Sequence, residues 1–250
     1  MGREMILLRD LRGLGVGRGP GWVFLLLAAV GCHQASPTGI PSASPAAAVP
    51  VYQERMHRLV YRSPLVRILD VRIAPGETTA YHIHSAPLVV VAVQDARTWA
   101  QTPGAEPGPI ATPKATPSVF TNWAQPLPYT HRVANVDRVP LHYLAAEWLA
   151  RSGGEVPAFP DDETRRLIEE SPTIRVYRIT LEPGASTWPH LHVGAGLMVL
   201  GTAGSLSDDG GPRARGGSGA GSWSWRESAY RHQLRNTGSA RLVVYEIDWR

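Results

Sequence analysis

From residue 66 onward, apolar and polar positions alternate in short bursts separated by proline, glycine and polar turns. "RILDVRIAPG" from Arg67 and "RVYRITLEPG" from Arg175 alternate with period two and end in Pro-Gly, as strands running into turns do. "PLVVVAV" from Pro87 and "GLMVLG" from Gly196 are unbroken apolar runs of strand length. "LHYLAAEW" from Leu141 and "LVVYEIDW" from Leu242 suit strands or short buried segments, and their equivalence to each other favours strands. Only "DDETRRLIEES", residues 161–171, has a helical pattern, with Asp161 or Asp162 as its N-cap. The pattern therefore predicts an all-β chain with little helix.

The same pattern occurs twice. "VRILDVRIAPGETTAYHIH" from Val66 aligns without gaps on "IRVYRITLEPGASTWPHLH" from Ile174, at an offset of 108. "HRVANVDRVPLHYLAAEW" from His131 aligns on "HQLRNTGSARLVVYEIDW" from His232, at an offset of 101. The difference falls between the blocks, where loops belong. Two copies of one unit predict two small antiparallel barrels, residues 51–150 and 171–250, joined by a linker over 151–170 that contains the helix. The segment "VYQERMHRLVY", residues 51–61, is expected to pack the barrels together by edge-strand pairing. Two biased loops, 102–117 and 208–221, are expected to be mobile and to line one end of each barrel.

Composition changes the picture mainly at the N-terminus. The net charge is +4, but residues 1–31 carry Arg3, Arg9, Arg12 and Arg18 against Glu4 and Asp10. The rest of the chain is close to neutral and holds one lysine, Lys114, so there is no electrostatic footprint for nucleic acid. Scattered arginines precede "WVFLLLAAVG", which ends just before Cys32. This run is about half the roughly twenty residues a membrane-spanning helix needs, and reads as a signal peptide over residues 1–31. "LAAVGC" resembles a bacterial lipoprotein processing site, which implies lipidation at Cys32 and an extracytoplasmic protein anchored at the cell envelope or periplasm. An ordinary signal peptide that happens to contain a cysteine is the alternative. Cys32 is the only cysteine, so no intrachain disulfide is available. Residues 32–50 are Pro/Ala/Ser-rich and read as a disordered spacer.

The candidate chemistry lies in the histidines. In a strand, residues i and i+2 point to one face, so His82 with His84, and His190 with His192, each aim two imidazoles into one space. A later strand of each unit supplies a third, His131 or His232. Three neutral imidazoles can hold a divalent transition metal and leave positions open. His33, His57 and His142 have no counterparts and read as surface or core residues. Trp188, Trp223, Trp225 and Tyr230 in the second unit, like Tyr81, Trp123 and Tyr129 in the first, fit either pocket walls or barrel core.

On these residues the chain resembles the cupin superfamily, and in duplicate a bicupin. The first family motif is met by Gly76, His82 and His84, and by Gly184, His190 and His192. The second is met by Pro126, His131 and Asn135, and more loosely by Gly221, His232 and Asn236, with Glu227 and Ala229 replacing its proline and glycine. The resemblance implies two tandem jelly-roll (double-stranded β-helix) barrels. It also implies a metal glutamate four or five residues after the second histidine, yet Leu88 or Val89, and Gly196 or Leu197, stand there. Relatives with three histidines and no carboxylate exist, including thiol dioxygenases that use ferrous iron.

Iron, manganese, nickel and zinc are all admissible metals. Three neutral ligands leave the full dipositive charge, which favours an anionic or chelating small-molecule ligand. Two functional readings stand side by side: a metal-dependent enzyme, oxygenase-like or isomerase-like, and a non-catalytic binding or scaffold module without metal. A purely structural duplicated barrel is a third. No general base is evident; Glu77, Glu182 and Glu227 lie near the motifs, with Glu227 foremost. The metal identity and oligomeric state are open, and an oligomer is compatible with the sequence.

Overall fold

The computed structural model describes residues 47–122, 125–151, 159–211, 215 and 217–250. The signal peptide, Cys32, most of the spacer and Trp123 lie outside the described residues, as does part of the second biased loop.

The described chain is built from strands, with no α-helix. The first half contains β1 (Val49–Pro50), β2 (His57–Arg62), β3 (Val66–Ile73), β4 (His82–His84), β5 (Leu88–Gln94), β6 (Thr98–Gln101), β7 (Ser118–Thr121), β8 (Tyr129–Asn135) and β9 (Leu141–Trp148). The second half contains β10 (Arg165–Glu170), β11 (Ile174–Leu181), β12 (His190–His192), β13 (Gly196–Leu200), β14 (Leu206–Asp209), β15 (Trp223–Arg226), β16 (Tyr230–Asn236) and β17 (Leu242–Trp249). The larger sheets have matching orders, β2-β3-β9-β5-β7 and β10-β11-β17-β13-β15. The smaller sheets match as well, β4-β8-β6 and β12-β16-β14, with β1 added in parallel to the free edge of β4. Register repeats too: Val66 faces Trp148 as Ile174 faces Trp249. Each half is thus a two-sheet jelly-roll barrel.

Two expectations are corrected here. Residues 161–171 do not form a helix. Asp162 accepts hydrogen bonds from the Thr164 and Arg165 backbone N–H groups at 2.7 and 2.8 Å, an Asx turn that starts β10. Pairing with β11 along its length overrides the local helical composition. The end of the expected spacer is also structured, since Val49–Pro50 forms β1 on β4.

The barrels meet face to face rather than by edge strands; β2 pairs only with β3, inside its own sheet. One buried cluster draws Val66, Ile68, Leu144 and Trp148 from the first half together with Ile174, Val176, Tyr245 and Trp249 from the second. The Trp148 and Trp249 rings lie edge to face at 6.5 Å, and the Tyr245 hydroxyl donates to the Pro117 carbonyl at 2.7 Å. The larger sheets are therefore covered on both sides, by their own interior and by the other barrel. This explains why residues 88–93 of β5 and all of β13 are apolar.

Asn135 and Asn236, which close the second motif, are fully buried and structural. Asn236 donates through Nδ2 to the Leu181 and Ala240 carbonyls at 2.9 and 2.8 Å, and its Oδ1 accepts from Gly238 N–H at 2.9 Å. Asn135 makes the equivalent bonds to Ile73, Val139 and Asp137. They lock the ends of β11 and β3 to the turns after β16 and β8. Next to them, Gly184 and Gly76 take φ of +80° and +78°, which a side chain would resist. Losing one buried partner leaves unsatisfied groups costing about 1–3 kcal/mol each. Asn236→Ala is therefore expected to destabilise the chain by roughly 3 kcal/mol in denaturant unfolding, with the strand content of its circular-dichroism spectrum retained.

Candidate metal centres

The histidines converge because of strand register. His82 lies directly opposite His131 across the β4–β8 pair, and His190 opposite His232 across β12–β16. Opposed residues of an antiparallel pair share a face, and the residue two further along joins them. His84 and His192 complete the two trios. All six are buried or, for His131, half-buried.

In the second barrel the Nε2 atoms are packed around one point. His232 Nε2 lies 2.9 Å from His190 Nε2 and 3.0 Å from His192 Nε2. Glu246, projecting from β17, puts its carboxylate oxygens 3.2 Å from His190, 3.1 Å from His232 and 3.5 Å from His192. The outer ring nitrogens settle the tautomers. His190 Nδ1 meets the Trp188 carbonyl at 2.9 Å, His192 Nδ1 the Asp248 carboxylate at 2.8 Å, and His232 Nδ1 the Asp208 carboxylate at 2.7 Å. Carbonyls and carboxylates only accept, so every Nδ1 carries a hydrogen, and in each singly protonated ring Nε2 presents its lone pair to the centre. Three such nitrogens around a carboxylate call for positive charge between them, from a metal ion or, in its absence, from protons on the rings.

Charge counting agrees. Glu246, Asp208 and Asp248 face one guanidinium, Arg226, which pairs with Asp248. Two negative charges remain, the complement of a divalent ion. With only protons available, burial opposes the charged form of His232, but the bonds to Asp208 and Glu246 more than reverse this and raise it to about 9. Burial likewise pushes Glu246 up, while the attraction of His192 and hydrogen bonds from all three histidines bring it well below the usual carboxylate range. The donor set and its carboxylate and carbonyl supports are what a first-row transition metal requires.

The first barrel holds the same trio in different surroundings. His84 Nε2 and His131 Nε2 are 3.2 Å apart. His82 donates through Nδ1 to the Ala80 carbonyl at 3.0 Å, leaving a buried Nε2 with no hydrogen-bond partner. Such an unmatched lone pair facing two other imidazoles fits a metal here as well. No carboxylate joins this cluster among the described residues. A cavity of about 270 Å³ opens beside it, walled by Leu69, Val71, Ile73, Val90, Phe120 and Leu141 and reached by His57, His84 and His131. Burial first, then the charges of neighbouring histidines, lowers His82 to about 3 and His131 to about 4, so both are neutral at physiological pH.

Several sequence assignments move. Glu246 escaped notice because the family pattern points to position 196 or 197; the signal was an acidic residue inside the apolar run "LVVYEIDW". Gly196 is needed because a Cβ there would collide with the Arg226 guanidinium. His57 is not an isolated core residue. Its ring lies 4.4 Å from that of His82, tilted by 50°, and it donates through Nδ1 to buried Glu54 at 2.7 Å. Glu77, Glu182 and Glu227 lie far from base duty on the surface: Glu77 pairs with Arg55, Glu182 with Arg241, and Glu227 accepts from Tyr61. Of the aromatics, Tyr129 and Tyr230 stack on His84 and His192, Trp223 belongs to the interbarrel core and Trp188 is exposed.

No known family profile and no curated protein sequence matches the chain. Solved structures do. AerE from Microcystis aeruginosa is 11% identical and superposes with a TM-score of 0.54 over 79% of this chain and 98% of its own. Salicylate 1,2-dioxygenase from Pseudaminobacter salicylatoxidans, 13% identical, matches with 0.51 over 75% and 72%. YhaK from Escherichia coli, 14% identical, matches with 0.50 over 76% and 87%. At such identities the likeness carries the architecture alone. The fold is the two-barrel cupin fold, and its histidine clusters could each hold a metal.

The depressed histidines generate a pH dependence. Their folded values lie below the ordinary 6.5, so the unfolded chain takes up protons first as pH falls. Metal-free protein should hold its full contribution from His82 and His131 above about pH 6.5 and lose it progressively toward pH 4. Thermal unfolding from pH 7 to pH 4 checks this; a His82→Asn, His131→Asn double variant should show a flatter slope.

Proposed function

We propose that this chain is a metal-binding bicupin whose barrels do different work: the second retains a divalent transition metal in a closed shell, and the first offers a metal to a small molecule. The observation that carries this reading is the set of three inward Nε2 lone pairs in the second barrel, each fixed by an outward N–H bond. His190, His192, His232 and Glu246 would hold one ion, and His82, His84 and His131 another. A metal bound in the first barrel supplies Lewis-acid or oxygen-activating chemistry. The chain's own contribution there is a mainly apolar cavity that would orient the bound molecule against the imidazoles.

Oxygenase-like or isomerase-like activity on a small molecule is the first form of this reading. The neighbouring salicylate 1,2-dioxygenase fold, solved also as adducts with gentisate, supports it by analogy of architecture. One observation favours the second form, a binding module without turnover: among the described residues, no aspartate or glutamate lines the first-barrel cavity to serve as acid or base. We further propose that the chain is exported and tethered through a lipidated Cys32, with the polar stretch before β1 as its spacer.

Metal analysis of the full chain after reconstitution with iron, manganese, nickel or zinc tests the proposal. Two equivalents are expected, one of them lost in His190→Ala and the other in His82→Ala. Removing an outer carboxylate weakens metal sites about 10–100-fold, so Asp208→Asn should lower second-barrel affinity by that factor. Absence of stoichiometric metal under all four conditions overturns the proposal.

A further inference from the structure

The duplication supplies an internal comparison. Val90 faces Ala145 in the first barrel exactly where Met198 faces Glu246 in the second. Leu88 faces Glu147 where Gly196 faces Asp248. Val89 pairs with Thr121 as Leu197 pairs with Trp225, so Asn122 stands at the position of Arg226. Three exchanges therefore go together. In the second barrel, Gly196 clears space for the buried Arg226, Arg226 pairs with Asp248, and Glu246 fills the interior and reaches the histidines. In the first, the same places hold Leu88, Asn122 and Ala145, and these three line the cavity instead.

Two polar side chains of the cavity wall are committed elsewhere, and Thr121, Gln125 and Tyr129 also line it. Asn122 Oδ1 accepts from Leu88 N–H at 2.7 Å, and the Tyr143 hydroxyl donates to Asp95. An occupant thus meets a mainly apolar wall and, at one end, His84 and His131, with Tyr129 stacked on His84. With a metal among three neutral imidazoles, that end carries two positive charges that no carboxylate in the cluster offsets. The second barrel offsets part of the same charge with its own glutamate. A cavity of about 270 Å³ falls just below the roughly 300–1,000 Å³ of drug-sized sites, so the occupant is compact.

We infer that the first barrel binds a compact, mainly apolar monocarboxylate whose carboxylate stands where Glu246 stands in the second barrel, and that Ala145 is the residue that makes room for it. This rests on the metal reading above. The apolar body lies against Leu69, Val71, Ile73, Val90 and Leu141, and the anionic head completes the shell begun by His82, His84 and His131. Position 145 is the specificity determinant: alanine admits a ligand, whereas glutamate would supply the anion from within and close the space.

The test is isothermal calorimetry on the full, zinc-loaded chain, with cyclohexanecarboxylate as probe and cyclohexanemethanol as its neutral counterpart. One saturable carboxylate site per chain is expected, with the alcohol, or the zinc-free chain, binding at least tenfold more weakly. Ala145→Leu should abolish carboxylate binding while zinc content stays at the wild-type value. Ala145→Glu should abolish it and tighten zinc in the first barrel. Val90→Met, which imports the second-barrel residue from the facing strand, should weaken it at least tenfold even if the Ala145 variants fail to fold. Equal affinity for acid and alcohol, or undiminished binding in a folded Ala145→Leu or in Val90→Met, overturns the inference. A zinc-loaded chain that ignores the carboxylate defeats this inference alone, whereas a chain that takes up none of iron, manganese, nickel and zinc defeats the metal reading and this inference with it.

Discussion

Three imidazole lone pairs aimed at one point repel one another unless a cation lies among them, and the second barrel is arranged around that constraint. Strand register brings His190 and His232 face to face, period-two geometry adds His192, and a carbonyl and two carboxylates fix each ring from outside. Each support comes from a different element: the turn before β12, β14 and β17. Changes at any of them reach the centre through a ring orientation rather than through a lost ligand. The buried acids of β17 fit this arrangement: Glu246 faces the three histidines, and Asp248 holds His192 and pairs with Arg226.

The first barrel shows what the same backbone becomes when the inner carboxylate is absent. Ala145 and Asn122 line a cavity at the positions where the second barrel carries Glu246 and Arg226. His57 adds a fourth ring beside the trio, held by Glu54, whose oxygens also accept from the Met56 and Ala80 N–H groups. Its counterpart in the second barrel is Arg165, since each faces the matching residue of the next strand, Val71 or Ile179. One barrel is thus organised around buried charge and the other around an apolar hollow next to imidazoles.

Much of this was legible in the chain. Period-two alternation and the exact offsets of 108 and 101 led to two β-barrels, because side-chain direction in strands follows directly from sequence spacing. The six histidines were legible for the same reason. Glu246 was not, because it reaches the centre from a distant strand by tertiary pairing, which no local spacing encodes. The segment 161–171 misled for a related reason: its charged, helix-prone composition lost to a partner strand and to an Asx turn at Asp162. His57 was passed over because it lacks a repeat counterpart of its own kind.

The core between the barrels draws on equivalent positions of both halves: Trp148 and Trp249, whose rings touch, and Val66 and Ile174, Ile68 and Val176, Leu144 and Tyr245. Matched residues meeting across a contact are the mark of a twofold homodimer, here enclosed in a single polypeptide. In a true dimer every substitution inside one subunit is copied into the other. A single chain is free of that coupling while the shared apolar face stays covered, so its two interiors can differ, with acid and arginine in one and a cavity in the other.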